Sequence, residues 1–214
     1  MSSENFENKY WERHNQRIVF RHKAALELIK EGPILDLGCG DGLFLSLLKE
    51  KGITGVGLEI SEVAVRKAMR RGLDVRKFDF TENKLPFKDN SFEAVVLLDV
   101  LEHLYQPEKI LREIHRVTKE SIILSVPNFN SLPARLQMIA GYIPENNTPI
   151  EGHIYWFSYT VLKNLLKEND FDIKIIKVNS FFSWTPILKS LMHLLARIWP
   201  SLFALNFVIK VKKL

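Results

Sequence analysis

The stretch Ile34–Gly42, ILDLGCGDG, decides how this chain is read. An apolar run carrying one aspartate, Asp36, runs into three glycines, Gly38, Gly40 and Gly42, with Cys39 and Asp41 between them. Taken alone it has three readings: a nucleotide-binding turn, a redox or metal site, or a tight bend. Glycine permits tight backbone geometry and close approach to a ligand. The spacing is G-x-G-x-G, not the G-x-G-x-x-G of dinucleotide-binding turns. Carboxylates at Asp36 and Asp41 would repel a pyrophosphate at the next helix N-terminus, whereas a ligand bearing an ammonium and a sulfonium would be favoured. Cys39, in a small-residue slot, reads as packing and not as a nucleophile. It is the single cysteine of the chain, which excludes an internal disulfide and argues against a cysteine-rich metal site; no metal site is expected.

Outward from this turn, strand and helix alternate. Residues 33–38 read as a strand, 43–52 as a helix closing on Gly52, and 53–60 as a second strand. The segment 61–72 reads as a helix with Ser61 as N-cap and Gly72 beyond its end. A third strand follows at 73–80. The fourth, FEAVVLLDV (92–100), is nearly all apolar, as expected of a strand buried on both faces. A helix opens at Pro107, and SIILSV (121–126) is a fifth strand. This order implies right-handed βαβ units and a parallel sheet with helices on both faces. Upstream, residues 9–30 read as one helix ending before Gly32-Pro33.

After the fifth strand the rhythm changes. Residues 127–157 are irregular and rich in Pro, Asn and aromatics, and such long connections are usually functional or disordered; their apolar content argues against disorder. A helix with Ser158 as N-cap and two strands, 171–178 and 205–212, complete the pattern. Between those strands, Trp184, Ile187, Leu188, Leu191, Met192, Leu194, Leu195, Ile198 and Trp199 fall in one helical arc of roughly 160°. That helix is open to three readings: packing on the core, a lid over an apolar substrate, or peripheral contact with a membrane through residues 184–199. It is too broken by charge to span a bilayer.

Size and composition fit one soluble domain: 214 residues, 46% hydrophobic and 26% charged. The polar N-terminus carries no apolar signal core, so a cytoplasmic location is expected. Net charge is +5, yet residues 1–110 carry −1 and residues 111–214 carry +6. The surplus reads either as solvated lysines or as a half that meets an anionic partner. No zinc-finger spacing or RNP-type aromatic motif points to nucleic acid, and none is expected as a partner.

In open parallel sheets ligands bind beyond the carboxyl ends of the strands, beside strand one. Acidic residues recur there. Glu59 closes strand two, about 20 residues after the glycines, where a carboxylate accepts from ribose hydroxyls. Asp79 closes strand three, next to Phe80, and suits an adenine amino group and ring. Asp99 ends strand four. Carboxylates at successive strand ends are hard to explain by fold alone.

These residues resemble the class I S-adenosylmethionine-dependent methyltransferases. LDLGCGDG is similar to their first motif, GLEIS to the acidic end of strand two, and LPFKDNSFEAVVLLDVLEHL to the segment around strand four. The resemblance spans roughly residues 33–126. It implies an α/β, Rossmann-like, doubly wound sheet of seven mostly parallel strands, the last antiparallel. It implies S-adenosylmethionine as cofactor and S-adenosylhomocysteine as product. Asp36, Gly38, Cys39, Gly40 and Gly42 would line the methionine side, Glu59 and Ile60 the ribose, Asp79 and Phe80 the adenine, and Asp99 and Leu101 the strand-four side. Tyr10 and Trp11 would either fold over the cofactor or staple the first helix. A further likeness lies in SVPNFNSLPARLQMIAG with HIYWFSYTVLKNLL, which looks like MetW-type methionine-biosynthesis proteins and ubiquinone-type (methyltransferase type 11) enzymes.

A single methyltransferase domain over residues 1–214 is therefore expected. It comprises an N-terminal helix (1–32), a cofactor core (33–126) and substrate-side insertions (127–157 and 180–204). The expected acceptor is a small or lipid-like molecule, methylated at oxygen or nitrogen. Where the acceptor is protonated a base is needed, and His153, His103, Glu102 and Tyr155 are the candidates, with His153 and His103 first. Three competitors remain: a non-catalytic cofactor-binding partner protein of the MetW type, an NAD-linked oxidoreductase, and a nucleic-acid methyltransferase. The last lacks the Asn-Pro-Pro-Tyr type signature; SVPNF is its nearest equivalent.

Overall fold

The computed structural model describes residues 3–81, 83–144, 152–181 and 186–214. Seven strands form one sheet: β1 (Ile34–Leu37), β2 (Gly55–Glu59), β3 (Asp74–Lys77), β4 (Phe92–Leu98), β5 (Thr118–Pro127), β6 (Phe171–Ser180) and β7 (Ala204–Lys213). They lie in the order β3-β2-β1-β4-β5-β7-β6. The pairs β1–β2, β1–β4, β2–β3 and β4–β5 are parallel, and β7 runs antiparallel to both neighbours. The strand order reverses between β1 and β4, the place where ligands sit in such sheets.

The all-apolar β4 shows why the sheet is covered on both sides. Val95 and Leu97 join one buried cluster and Ala94 and Val96 the other, because successive side chains of a strand point to opposite faces. Helices α3 (Leu43–Glu50), α4 (Glu62–Arg70), α5 (Pro107–Val117) and α7 (Tyr159–Glu168) supply much of the covering. The expected caps are in place: the Ser61 hydroxyl accepts from the Ala64 N–H, and Ser158 from the Val161 N–H.

Two expectations are corrected. Residues 9–30 are not one helix but α1 (Ser3–Arg13) and α2 (Phe20–Leu28). The break has local causes. Lys67 donates to the carbonyls of Trp11 and His14 at 2.6 and 2.8 Å, satisfying the end of α1, and the Gln16 N–H turns to the Asp41 carboxylate. Exposed β-branched Ile18 and Val19 follow, and the Val19 N–H then donates to His22 as α2 begins. The irregular stretch 127–157 also contains a helix, α6 (Leu132–Ile139), with Ser131 before it and Pro133 in its first turn. Buried Asn128 anchors this region. Its amide donates to the carbonyls of Ala204 (2.8 Å) and Ser201 (3.0 Å), and its oxygen accepts from the Asn130 N–H.

Helix α8 (Pro186–Ile198) is followed by the single turn α9 (Pro200–Phe203). Met192 and Ala196 are buried, while Leu191, Leu194, Ile198 and Trp199 are exposed. The apolar arc is therefore wider than the stripe it buries. Trp184 and the side chain of Ile187 lie outside what the structure describes. Among the described residues no helix is long and apolar enough to cross a membrane. Four lysines of the second half are paired with carboxylates: Lys119 with Glu93, Lys174 with Asp172, Lys177 with Glu27 and Lys212 with Glu120.

Candidate functional site

The glycine turn leaves β1 with three left-handed residues in five, φ being +70° at Gly38, +55° at Gly40 and +78° at Gly42. Each faces something different. A Cβ on Gly38 would strike Val100 at 2.7 Å, and one on Gly42 would strike Leu73 at 2.5 Å. Those two serve packing between the turn and its neighbours. A Cβ on Gly40 would strike the Trp11 indole at 2.5 Å, so Gly40 is where the turn meets α1. Trp11 is 6% exposed, whereas Tyr10 is 46% exposed and stacks on His14. The aromatic residue over the turn is thus Trp11 and not Tyr10. A helix repeats every 3.6 residues, so adjacent positions face different ways.

Carboxyl groups converge on this turn. Asp36 is 3% and Glu59 4% exposed. Glu59 accepts from the Gly40 N–H through Oε2 and from the Ser61 N–H through Oε1, both at 2.9 Å. An ionised carboxylate has about four acceptor positions, so these bonds lock β2 to the turn and leave capacity for a ligand hydroxyl. Oδ2 of Asp36 is buried with no hydrogen-bond partner. Burial, and then the Glu59 charge, raise the Asp36 carboxyl well above its usual range. Burial likewise raises Glu59, against the pull of its backbone donors. Glu7, on α1, is pushed up to about 7 by burial first and then by Glu59. Among the described residues none of these three has an ion-pair partner. Asp41 differs: its buried carboxylate holds Arg71 at 2.8 Å and ties the turn to the end of α4. Cys39 is buried with its sulfur toward Gly57, and burial raises its thiol pKa, as a packing role requires.

Ile60 is half-buried beside Glu59. Asp79 stands two residues beyond the end of β3 and closes its own turn: its Oδ1 accepts from the N–H and hydroxyl of Thr81. Phe80 is buried in the main apolar cluster. After β4, Asp99 adopts φ +58°, its carboxylate bonded to the Ser125 hydroxyl at 2.5 Å and to Arg21 at 3.0 Å. That Arg21 pairing, from α2, was not foreseen, because nothing in the sequence links residue 21 to residue 99. Leu101 is fully buried in the short 3-10 turn Leu101–His103.

This turn gathers the proton-handling candidates. The Glu102 carbonyl accepts from the N–H groups of Ile154 and Tyr155, drawing the 152–157 segment onto it. His103 Nδ1 lies 3.3 Å from the Gly152 carbonyl, and the rings of His103 and His153 are 4.8 Å apart. Burial, and then His153, lower the His103 pKa. Glu102 is fully buried, its carboxyl raised well above the usual range by burial and by Asp99. Tyr155 stacks on buried Phe157, and exposed Trp156 on Phe129. Phe6 of α1 and His103 both lie beside Gly152. Phe6 and Trp11 are five residues apart, about 7.5 Å along a helix, so α1 spans from the glycine turn to the histidine pair.

A buried carboxyl cluster with no ion-pair partner among the described residues suits a ligand that brings its own positive charge. The fold is that of the class I S-adenosylmethionine-dependent methyltransferases. The sequence profile of the family described as methionine biosynthesis protein MetW matches residues 20–180, and the chain belongs to that family. A bifunctional methionine biosynthesis protein MetXA/MetW of Rhodopirellula baltica is 29% identical over 137 residues, covering 59% of this chain and 21% of that protein. A probable S-adenosylmethionine-dependent methyltransferase of Mycolicibacterium smegmatis is 27% identical over 173 residues, 78% of this chain and 62% of that protein. The chain thus spans less than two thirds of either relative. Among solved structures, a possible histamine N-methyltransferase of Thermotoga maritima superposes with a TM-score of 0.67 at 21% identity, covering 98% of this chain and 92% of its own. The magnesium protoporphyrin IX methyltransferase of Synechocystis, with bound S-adenosylhomocysteine, gives 0.66 at 17% identity, covering 99% and 95%.

Proposed function

We propose that this chain transfers a methyl group from S-adenosylmethionine to oxygen or nitrogen of a small or lipid-like acceptor. The observation that carries the reading is the buried pair Asp36 and Glu59 at the glycine turn, Glu59 bonded to the Gly40 N–H, Asp36 Oδ2 without a partner, and neither in an ion pair among the described residues. S-adenosylmethionine supplies a methyl group already activated on a sulfonium, so the chain mainly has to align the acceptor. Asp36 and Glu7 meet the ligand's positive charge, Glu59 the ribose, and Asp79 with Phe80 the adenine. Asp99 and Leu101 bound the strand-four side, with Arg21 holding the Asp99 carboxylate in place. Trp11 and α1 exclude water. His153 and His103 stand where the acceptor's proton must be dealt with, either by taking it or by holding a group that makes it acidic.

The acceptor side falls to residues 127–157 and 180–204, and the exposed apolar residues of α8 and α6 favour an apolar acceptor. A flipped nucleobase is disfavoured, because the amide of Asn128, in the SVPNF segment, is occupied by this chain's own backbone. A second reading is a non-catalytic cofactor-binding partner of the MetW type, favoured by the family match. One experiment separates them. Metabolite and lipid extracts are incubated with methyl-labelled cofactor, alongside calorimetry with S-adenosylhomocysteine. A labelled product supports transfer. Binding without product in any fraction supports the partner reading. Tight NAD binding with no S-adenosylhomocysteine binding sinks both.

A further inference from the structure

Glu102, His103 and His153 each place one ligand atom within 4.8 Å of the other two. The sequence separates the third from the first by 51 positions, and the two carbonyl bonds from Ile154 and Tyr155 to Glu102 close that gap. Glu102 is the unusual member. It is fully buried, and neither carboxylate oxygen has a hydrogen-bond partner. Asp99 is a like charge, and Arg21, whose charge also reaches Glu102, makes its ion pair with Asp99. A fully buried carboxyl whose oxygens have no partner either keeps its proton or meets a cation, and the two neighbouring imidazoles make the second possible here.

His103 is set up for a cation. A carbonyl oxygen only accepts, so the 3.3 Å contact with Gly152 fixes the His103 proton on Nδ1 and leaves the Nε2 lone pair for a ligand. That is the usual outer support of a metal-bound imidazole. Zinc–nitrogen and zinc–oxygen bonds of about 2.0–2.2 Å put tetrahedral ligand atoms about 3.3 Å apart, so closing on a metal asks each ligand atom to move by about 1 Å or less. Magnesium and calcium prefer oxygen ligands; two imidazoles and one carboxylate suit zinc and its first-row neighbours, with a fourth position left open.

We propose that Glu102, His103 and His153 form a binding site for a divalent cation of the zinc type, on the acceptor side of the cofactor pocket. The role of the cation rests on the methyl-transfer reading. At the open position it would take the hydroxyl oxygen of the acceptor, whose proton is released to solvent. The oxygen lone pair then forms the new O–CH3 bond as the C–S bond of the sulfonium breaks, giving an ether, a thioether and one proton. Oxygen acceptors are thereby favoured over amines.

The test is metal binding by the chelator-stripped full chain. Zn2+ is titrated by competition with a chromophoric chelator, and Co2+ is followed by its visible d–d absorption. Wild type should bind one equivalent, with a tetrahedral-type cobalt spectrum. His153→Ala, on a half-buried loop residue, should lose about 100-fold in affinity. Glu102→Gln, which keeps the shape of the buried side chain, should lose a comparable factor. His193→Ala, on α8 and outside the cluster, should bind like wild type. Folding of each variant is checked by S-adenosylhomocysteine binding. No bound equivalent in wild type, or wild-type affinity in His153→Ala, overturns the site while leaving the cofactor reading standing. Loss of S-adenosylhomocysteine binding in wild type would instead sink the methyl-transfer reading and leave the metal titration unaffected.

Discussion

Gly40 and Gly52 make a controlled comparison. Both are left-handed, at +55° and +72°, so alanine at either position costs about 1–2 kcal/mol in backbone strain. At Gly52 the new methyl group meets nothing within 4 Å; at Gly40 it lies 2.5 Å from Trp11 Cη2 and 2.6 Å from Cζ2. A buried indole has to move, which adds about 1–3 kcal/mol. Gly52→Ala should therefore lose about 1–2 kcal/mol in urea denaturation and bind S-adenosylhomocysteine with unchanged affinity. Gly40→Ala should lose about 2–5 kcal/mol and bind at least about 10-fold more weakly, about 1.4 kcal/mol. In a Trp11→Ala background the extra cost should disappear, a coupling of about 1–3 kcal/mol in the double-mutant cycle. Equal losses for the two glycines, or strict additivity of Gly40→Ala with Trp11→Ala, would refute the contact. Wild-type affinity in Gly40→Ala would refute the pocket.

Glu59→Ala leaves the Gly40 and Ser61 N–H groups unmet; calorimetry should show binding weaker by about 1–3 kcal/mol and denaturation a loss of about 2–4 kcal/mol. Glu7 has a folded-state pKa raised from 4.5 to about 7, so the native state holds its proton longer than the unfolded chain does. The associated stability is fully present below about pH 4.5 and is lost as pH rises through 7, about 3 kcal/mol at most and nearer 1 after solvent screening. Glu7→Gln should flatten the denaturation profile over pH 5–8, and an unchanged slope would show that Glu7 is not the group responsible. Asn128→Ala should cost about 2 kcal/mol, or about 4–8 °C in Tm, with cofactor affinity unchanged, because its bonds join β5 to the start of β7. An altered affinity would move Asn128 into the ligand site.

The parallel core was legible because its cues are local. The apolar run Phe92–Leu98, the capping serines at 61 and 158 and the glycine turn each report on their own neighbourhood. The acidic strand ends were legible for the same reason, since Glu59 closes β2 and Asp99 follows β4 directly. What escaped depends on distant partners. The end of α1 is set by Lys67 and Asp41, far along the chain. Tyr10 and Trp11 are equivalent as letters, and only the phase of α1 against Gly40 separates them. Glu102 was a candidate by type, but its burial follows from the return of residues 152–157. Helix α6 was hidden among prolines and asparagines that read as loop. Arg21 carried no signal at all, because its partner Asp99 is 78 positions away.

One feature of the sheet bears on how the chain is made. β7 lies between β5 and β6 although it follows both in sequence. Until residues 204–213 have emerged from the ribosome, β5 presents an open hydrogen-bonding edge, and β6 has no neighbour in the sheet at all. Such edges are templates for pairing with other chains. The α/β part can collapse as it emerges, but the sheet closes only when β7 threads between two waiting strands. The nascent protein is thus most exposed to misassembly late in synthesis, and chaperone capture should concentrate on chains that have completed β6 but not β7.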